Sequence, residues 1–211
     1  MTKPRPIIHN AQSRTGPPIK IMYIDVETTG LAYPAAGLVQ LSGAVEIGGV
    51  LQETFDLCIA PFPGDVIEEQ ALEVNGLTKQ IILEYSAPAE AYGAFTTLLR
   101  KYVDPYDRSD KFHFVGYNAH FDAEHLRAWF QKNGDRFFGS WFWHPPLDVM
   151  NLAATLMIGR RHTLPNFKLP TVAGSLGIEV DTKRTHDALY DVELTRLVFQ
   201  RLQTLQKSVT A

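Results

Sequence analysis

Asp25 and Glu27, two carboxylates one residue apart, are the first residues in this sequence whose types and spacing suggest chemistry. They lie in the run IMYIDVETTG, whose β-branched and aromatic residues, closed by Thr-Thr-Gly, read as a strand apolar on both faces and therefore central in a sheet. Side chains alternate across a sheet, so both acids leave from the same face. Without a counter-ion the pair is repulsive and at least one acid would hold its proton. A bound cation keeps both ionised, and hard oxygen ligands select magnesium or manganese. An acidic pair on an exposed edge would be ordinary solvated surface, but Tyr23, Ile24 and Val26 around this one argue against that.

Three more residues could join them. Asp122 follows the strand-like FVGYN and begins a predicted helix, at the sheet edge where functional groups collect. Taken alone it is more simply a helix N-cap. His186 and Asp191 lie five apart, a spacing that turns them away from each other on a regular helix, so His186 is expected to precede the helix. Asp191 shares a stripe with Thr195, Val198 and Leu202 that would aim it at the sheet, with His186 hanging from the loop over the same spot. Either residue alone would be incidental.

The elements that must position these groups follow from periodicity. Leu38 to Ile47 and Val50 to Ile59 read as strands joined by a tight Gly48-Gly49 hairpin, so the sheet begins antiparallel. Pro61, Pro63 and Gly64 interrupt the pattern, and a short helix from Glu68 to Val74 is stopped by Asn75-Gly76. After Pro88, apolar Tyr92, Phe95, Leu98, Leu99 and Tyr102 recur at helical spacing. His113 to Tyr117 is a short strand, and Asp122 to Asn133 a helix burying Leu126, Trp129 and Phe130. Asp148 is expected to cap a helix running to Met157, Gly177 to end one over Leu169 to Leu176, and a last helix to run from Asp187 to Gln206. His120 and His125 are expected at the surface or in packing, and Trp141, Phe142 and Trp143 in the core or an interface.

Together, the segments YIDVETTG, VGYNAHFDAEHL and THDALYDVELT, in this order, resemble the three motifs of the DEDD superfamily of 3′→5′ exonucleases in its histidine subtype, the group that includes the polymerase III proofreading subunit and ribonuclease T. The resemblance spans about Lys20 to Leu202. PFPGDVIEEQALEVNGLT looks like the family's loop-helix connection and PLDVMNLA like its later Asp-led helix. The tyrosine subtype would place Tyr at 187, where this chain has Asp187, whereas His186 fits the histidine pattern.

The resemblance implies an α/β, ribonuclease H-like fold, a mixed five-stranded sheet flanked by helices. It implies Asp25, Glu27, Asp122 and Asp191 as ligands of two divalent cations, Mg2+ or Mn2+, and His186 as general base toward an attacking water. The product would be a nucleoside 5′-monophosphate. Substrate contact falls by the same resemblance on Thr28, Thr29, Leu31, Asn118 and Phe121. Ribonuclease T carries phenylalanine wedges where Leu31 and Val74 stand here, which tilts the expectation from RNA toward single-stranded DNA 3′ ends. An RNA-trimming exoribonuclease is the alternative, and an inactive nucleic-acid-binding or polymerase accessory module a third. A homodimer and a polymerase partner both stay open.

With 211 residues and 45% hydrophobic content, one compact domain is expected over residues 20–206, preceded by a basic, poorly ordered segment over 1–19. The first twenty residues hold Lys3, Arg5, Arg14 and Lys20 and no acid, leaving 16 bases against 23 acids in the rest. Such an acidic body does not advertise a partner of phosphates, but carboxylates loaded with cations present a different face. The single Cys58 rules out an internal disulfide and a zinc site built on several cysteines. The start MTKPRPIIHNAQSR lacks the apolar stretch of a signal peptide and no run is long enough to span a membrane, so the expectation is a cytoplasmic protein without membrane contact.

Overall fold

The computed structural model describes residues 16–184 and 187–210. A five-stranded mixed sheet in the order β3-β2-β1-β4-β5 forms the centre. β1 (Lys20–Thr28), β2 (Leu38–Ile47) and β3 (Val50–Cys58) are antiparallel neighbours, while β4 (His113–Gly116) and β5 (Leu147–Asp148) run parallel to β1. The β2–β3 hairpin turns at Gly48 and Gly49, with φ of +58° and +84°, the twisted reversal that glycine makes without steric cost.

Seven α-helices follow among the described residues: α1 (Glu69–Val74), α2 (Lys79–Leu83), α3 (Pro88–Tyr102), α4 (Ala119–Lys132), α5 (Val149–Leu156), α6 (Leu169–Ser175) and α7 (Ala188–Thr210). Short 3-10 turns occupy Phe138–Ser140 and Ile158–Thr163. α2 and the two-residue β5 have no periodic signal in the sequence, because two to five residues are too few to display one. Among the described residues, no helix is long and apolar enough to cross a membrane.

The alternation of β1 divides the interior into two layers. Met22, Ile24 and Val26 enter a core with Phe95 and Leu99 of α3 and with Leu126, Trp129 and Phe130 of α4. Trp141 and Phe142 complete that layer, while Trp143 is 38% exposed. Ile21 and Tyr23 enter the other layer, with Val149 and Ala153 of α5, Val172 of α6 and Val192, Val198 and Leu202 of α7. Tyr23 meets Phe199 edge-on, ring centroids 6.1 Å apart.

α7 carries one polar anchor into that second layer. Glu46 of β2, only 4% exposed, accepts from Arg196 Nε at 2.8 Å and from Gln200 Nε2 at 3.1 Å. A carboxylate in that position is tolerated because both partners reach it, and removing the cation would strand it. Arg196→Ala is expected to lower stability by about 3 kcal/mol in urea denaturation. A loss well under 1 kcal/mol would mean that the pair does not hold α7 to the sheet.

Candidate active site

β1 continues past the point where helices cover its second face. Asp25 and Glu27 extend the row begun by Ile21 and Tyr23, and both are half-buried rather than sealed. The register with β2 shifts between Glu27 and Thr28, a break in the ladder of the kind that re-aims a strand beside a site. The turn that follows is fixed from within. Thr28 Oγ1 donates to the Gly30 carbonyl at 2.8 Å, and Thr29 Oγ1 donates to the Val66 carbonyl and accepts from the Gly37 N–H at 2.7 Å. Thr29 is fully buried, so it offers no surface to a nucleotide and serves the turn. This corrects its expected place among substrate contacts. Asn75 Nδ2, at the end of α1, donates to the Thr28 carbonyl at 3.1 Å and ties that helix to the same turn.

Asp122 arrives from the neighbouring strand. Val115 of β4 pairs with Tyr23, so β4 ends level with the start of the acidic stretch. The chain then reverses at Asn118, which holds φ +69° and ψ +41°, a left-handed conformation that asparagine tolerates better than most residues. Its N–H donates to Asp148 Oδ1 at 3.2 Å, and Asp148 itself caps α5 through the N–H groups of Met150 and Asn151. Because α4 begins at Ala119, Asp122 lies inside its first turn and is not the N-cap the sequence suggested. Its Oδ1 accepts instead from the Val26 N–H at 3.2 Å, and the residue is 4% exposed. Gly116 makes this approach possible: a Cβ there would lie 3.2 Å from Ala119 Cα, Asp122 Oδ2 and the Ile24 carbonyl alike.

Asp191 lies in the first turn of α7, one turn after Asp187, whose carbonyl accepts its N–H at 2.9 Å. Asp187 Oδ1 accepts from the Tyr190 N–H at 3.3 Å, and its carboxylate pairs with Arg184, so this acid ends the loop rather than entering the site. Thr195, Val198 and Leu202 are all buried, so the stripe below Asp191 faces the sheet as its spacing predicted. His186 lies outside the described residues. His125 is buried with its ring 4.2 Å from that of Phe121, and His120 is exposed, matching the packing and surface roles expected of them.

The electrostatics bind these acids into one environment. Burial holds the Asp25 carboxyl well above the ordinary carboxylate range, and Asp122, Glu27 and Asp191 push it further. Glu27 rises to about 7 through burial and then Asp191. Asp122 rises to about 8, chiefly by burial, against the pull of the Val26 N–H and its own backbone, with Glu27 and Asp148 adding to the rise. Among the described residues, no three such side chains stand together as a group that could hold a metal ion. Even so, Asp25, Glu27 and Asp122, whose proton affinities are raised by burial and by neighbouring carboxylates, Asp191 among them, are hard-oxygen donors of the kind a divalent cation takes, and its charge would remove the repulsion between them.

Beside Glu27 opens a cleft of about 260 Å3, lined by Thr28, Leu31 and Phe121 together with Glu68, Val74 and Asn75. Leu31 is 77% and Val74 60% exposed, so two large apolar side chains flank the acids in solvent. Asn118 is exposed and does not line this cleft. Glu68 and Asn75 were not expected at the site. They follow an irregular proline-rich segment, and only the fold shows where it returns.

Residues 22–199 match the RNase_T family of exonucleases. The chain belongs to this exonuclease family. A PolC-type DNA polymerase III from Thermotoga maritima is 27% identical over 206 residues, 97% of this chain but only 13% of that protein. Ribonuclease T from Shewanella frigidimarina is 30% identical over 185 residues, covering 83% of this chain and 78% of its own. The fold is shared with E. coli exonuclease I, whose zinc-bound complex with single-stranded DNA aligns with a TM-score of 0.70 at 20% identity, over 90% of this chain and 41% of that one. The kinship with 3′→5′ exonucleases drawn from the three motifs is thereby borne out, as is the ribonuclease H-like sheet.

Two expectations follow. Carboxyls whose folded pKa lies above the unfolded value stabilise most at low pH, and that stability is lost as pH rises through the folded pKa. Glu27 at about 7 and Asp122 at about 8 place the loss between the usual carboxylate range and about pH 8. Mg2+ or Mn2+ should therefore raise Tm more at pH 8 than at pH 5.5 in differential scanning calorimetry. An equal rise at both would contradict the charge cluster. Gly116→Ala should displace Asp122 by a few tenths of an ångström and weaken Mn2+ binding in calorimetry while costing about 1 kcal/mol of stability.

Proposed function

We propose that this chain is a 3′→5′ exonuclease of the histidine subtype that hydrolyses the terminal phosphodiester of single-stranded nucleic acid, with DNA slightly favoured, and releases nucleoside 5′-monophosphates. What supports the reading is that Asp25, Glu27, Asp122 and Asp191 share one electrostatic environment at the end of β1, in a chain of an exonuclease family. In this reading the four carboxylates hold two divalent cations, Mg2+ or Mn2+. When bound, the cations supply Lewis acidity toward the phosphate and neutralise charge on the carboxylates.

The remaining steps fall to the chain's own groups. His186 takes the proton of the attacking water, a task suited to an imidazole whose ordinary pKa of about 6.5 leaves it mostly neutral at working pH. The water oxygen bonds to phosphorus, the bond to the 3′ oxygen of the preceding nucleotide breaks, and that oxygen takes a proton from solvent to leave as a 3′-hydroxyl. Leu31, Val74 and Phe121 wall the terminal base, a contact that favours unpaired ends without strong sequence choice. Thr28 lines the same cleft, Thr29 shapes the turn behind it, and Asn118 meets the strand beyond the acids.

A second reading, an RNA-trimming enzyme, is favoured by the ribonuclease T relatives, which match over most of their own length. Leu31 and Val74 in place of aromatic wedges favour DNA. The PolC-type relatives extend the proposal to action beside a polymerase, in a reducing cytosol suited to the exposed Cys58 thiol, with a homodimer as an alternative assembly.

Asp25→Ala and Asp191→Ala should each abolish hydrolysis of end-labelled oligomers, and EDTA should do so reversibly. Retained turnover in either variant would sink the ligand assignment. His186→Ala should lose at least about a hundredfold in kcat while binding Mn2+ as before, and lost metal affinity there would contradict a general base. Matched DNA and RNA ladders decide between the two substrates.

A further inference from the structure

The chain is acidic overall, yet no Asp or Glu occurs between Asp148 and Glu179, and Arg160, Arg161, His162 and Lys168 all fall within that interval. The structure gathers these bases in and after the 3-10 turn Ile158–Thr163, and all four are exposed. Arg160 Nη2 donates to the Ser175 carbonyl at the end of α6, which fixes the turn. The Arg161 guanidinium lies over the Phe167 ring, 4.7 Å from its centroid, a planar platform with a fixed charge. Lys168 stands at the N-terminus of α6.

This patch adjoins the carboxylate edge. The Tyr117 hydroxyl, one residue beyond β4, donates to the Phe167 carbonyl at 2.6 Å, and the next residue, Asn118, is bonded to Asp148. Burial raises the Tyr117 pKa, Asp148 adds to the rise and Arg161 opposes it, so the guanidinium stands within electrostatic reach of the turn that leads to Asp122. The cleft of Leu31 and Val74 opens beside Glu27 and Phe121, and neither Tyr117 nor Asn118 lines it.

Resting on the exonuclease reading, we propose that Arg161 and Lys168 form a track for the substrate strand. The strand leaves the carboxylates over Tyr117 and Asn118 and lays its backbone phosphates on these two cations, with the Arg161–Phe167 stack beneath one base. Its occupant is a single-stranded polynucleotide, because a flexible chain of phosphates and unpaired bases matches a short basic platform that carries an exposed planar face. DNA and RNA share that chemistry, and both are arms of the test.

The test is fluorescence anisotropy of labelled DNA and RNA strands of about fifteen nucleotides, in EDTA across a salt series, with the full chain. Arg161→Ala/Lys168→Ala is expected to bind about tenfold more weakly and to lower the salt slope by about 1.4, the share of two phosphate contacts to a single strand. With Mn2+, KM should rise for the long strand and much less for a dinucleotide, which does not reach the track. Arg108→Ala, an exposed base in the loop after α3, should change neither. Both altered side chains are exposed, so the Tm of the double variant should stay near that of the parent, and Lys168→Ala alone provides a milder version. Unchanged affinity and slope in the double variant, or equal KM effects on both lengths, would overturn the track. If the parent chain cleaves neither DNA nor RNA yet binds both through these residues, the exonuclease reading fails and the track stands.

Discussion

Repulsion among carboxylates at the end of β1 is the constraint on which the rest of this structure depends. Asp25, Glu27 and Asp122 each hold a proton more tightly than a free acid does, and each does so partly because of another member of the group. A fold does not keep such groups together for stability, since every one of them costs free energy when ionised and buried. They are tolerable if the surrounding layers supply the stabilisation and if the charge is removed, by a proton or by a cation. The two apolar layers on either side of β1 supply the first condition, and for the second, hard oxygen donors are the kind that a divalent cation prefers.

Convergence is achieved by devices that are individually small. Asp122 reaches the Val26 N–H because Gly116 has no side chain and Asn118 accepts a left-handed backbone. Asp191 is delivered by a long helix whose register over the sheet is held by buried Val198 and Leu202 and by the Glu46–Arg196 pair. These elements are far apart in the chain, so no local interaction brings the acids together. The sheet order does it, by placing β4 beside β1, with α7 packed on the same sheet through the second layer.

Much of this was legible in the sequence, and the failures have physical causes. Strand alternation put Asp25 and Glu27 on one face, the helical stripe aimed Asp191 inward, and Gly48-Gly49 fixed the hairpin, because each is a local rule with a clear period or turn requirement. Taken alone, Asp122 looks like a cap because Ala-His-Phe before it carries no start signal. What begins α4 is the conformation of Asn118, which a sequence pattern does not display. Thr29 looked available to a substrate, yet it is consumed by two hydrogen bonds to segments that only the fold brings near. Asn75 and Glu68 enter the cleft by the same kind of long-range return.

Charge distribution resolves the oddity of an acidic domain in a nucleic-acid-processing family. Net charge governs long-range steering, but phosphates are met at short range, where the local arrangement dominates once salt screens distances beyond about 10 Å. Around this site, acids and bases are segregated: carboxylates converge where a cation can neutralise them, while the interval from Val149 to Ile178 contains bases and no acid. On the opposite edge, Lys20 is paired with Asp110, and on the α3 face Lys101 is paired with Glu53, so those cations are already spent on the protein itself. Arg161 and Lys168 have no carboxylate partner among the ion pairs of the described residues. A polyanion approaching this interval therefore meets positive charge not matched by a neighbouring acid, and such local charge does not require a basic protein.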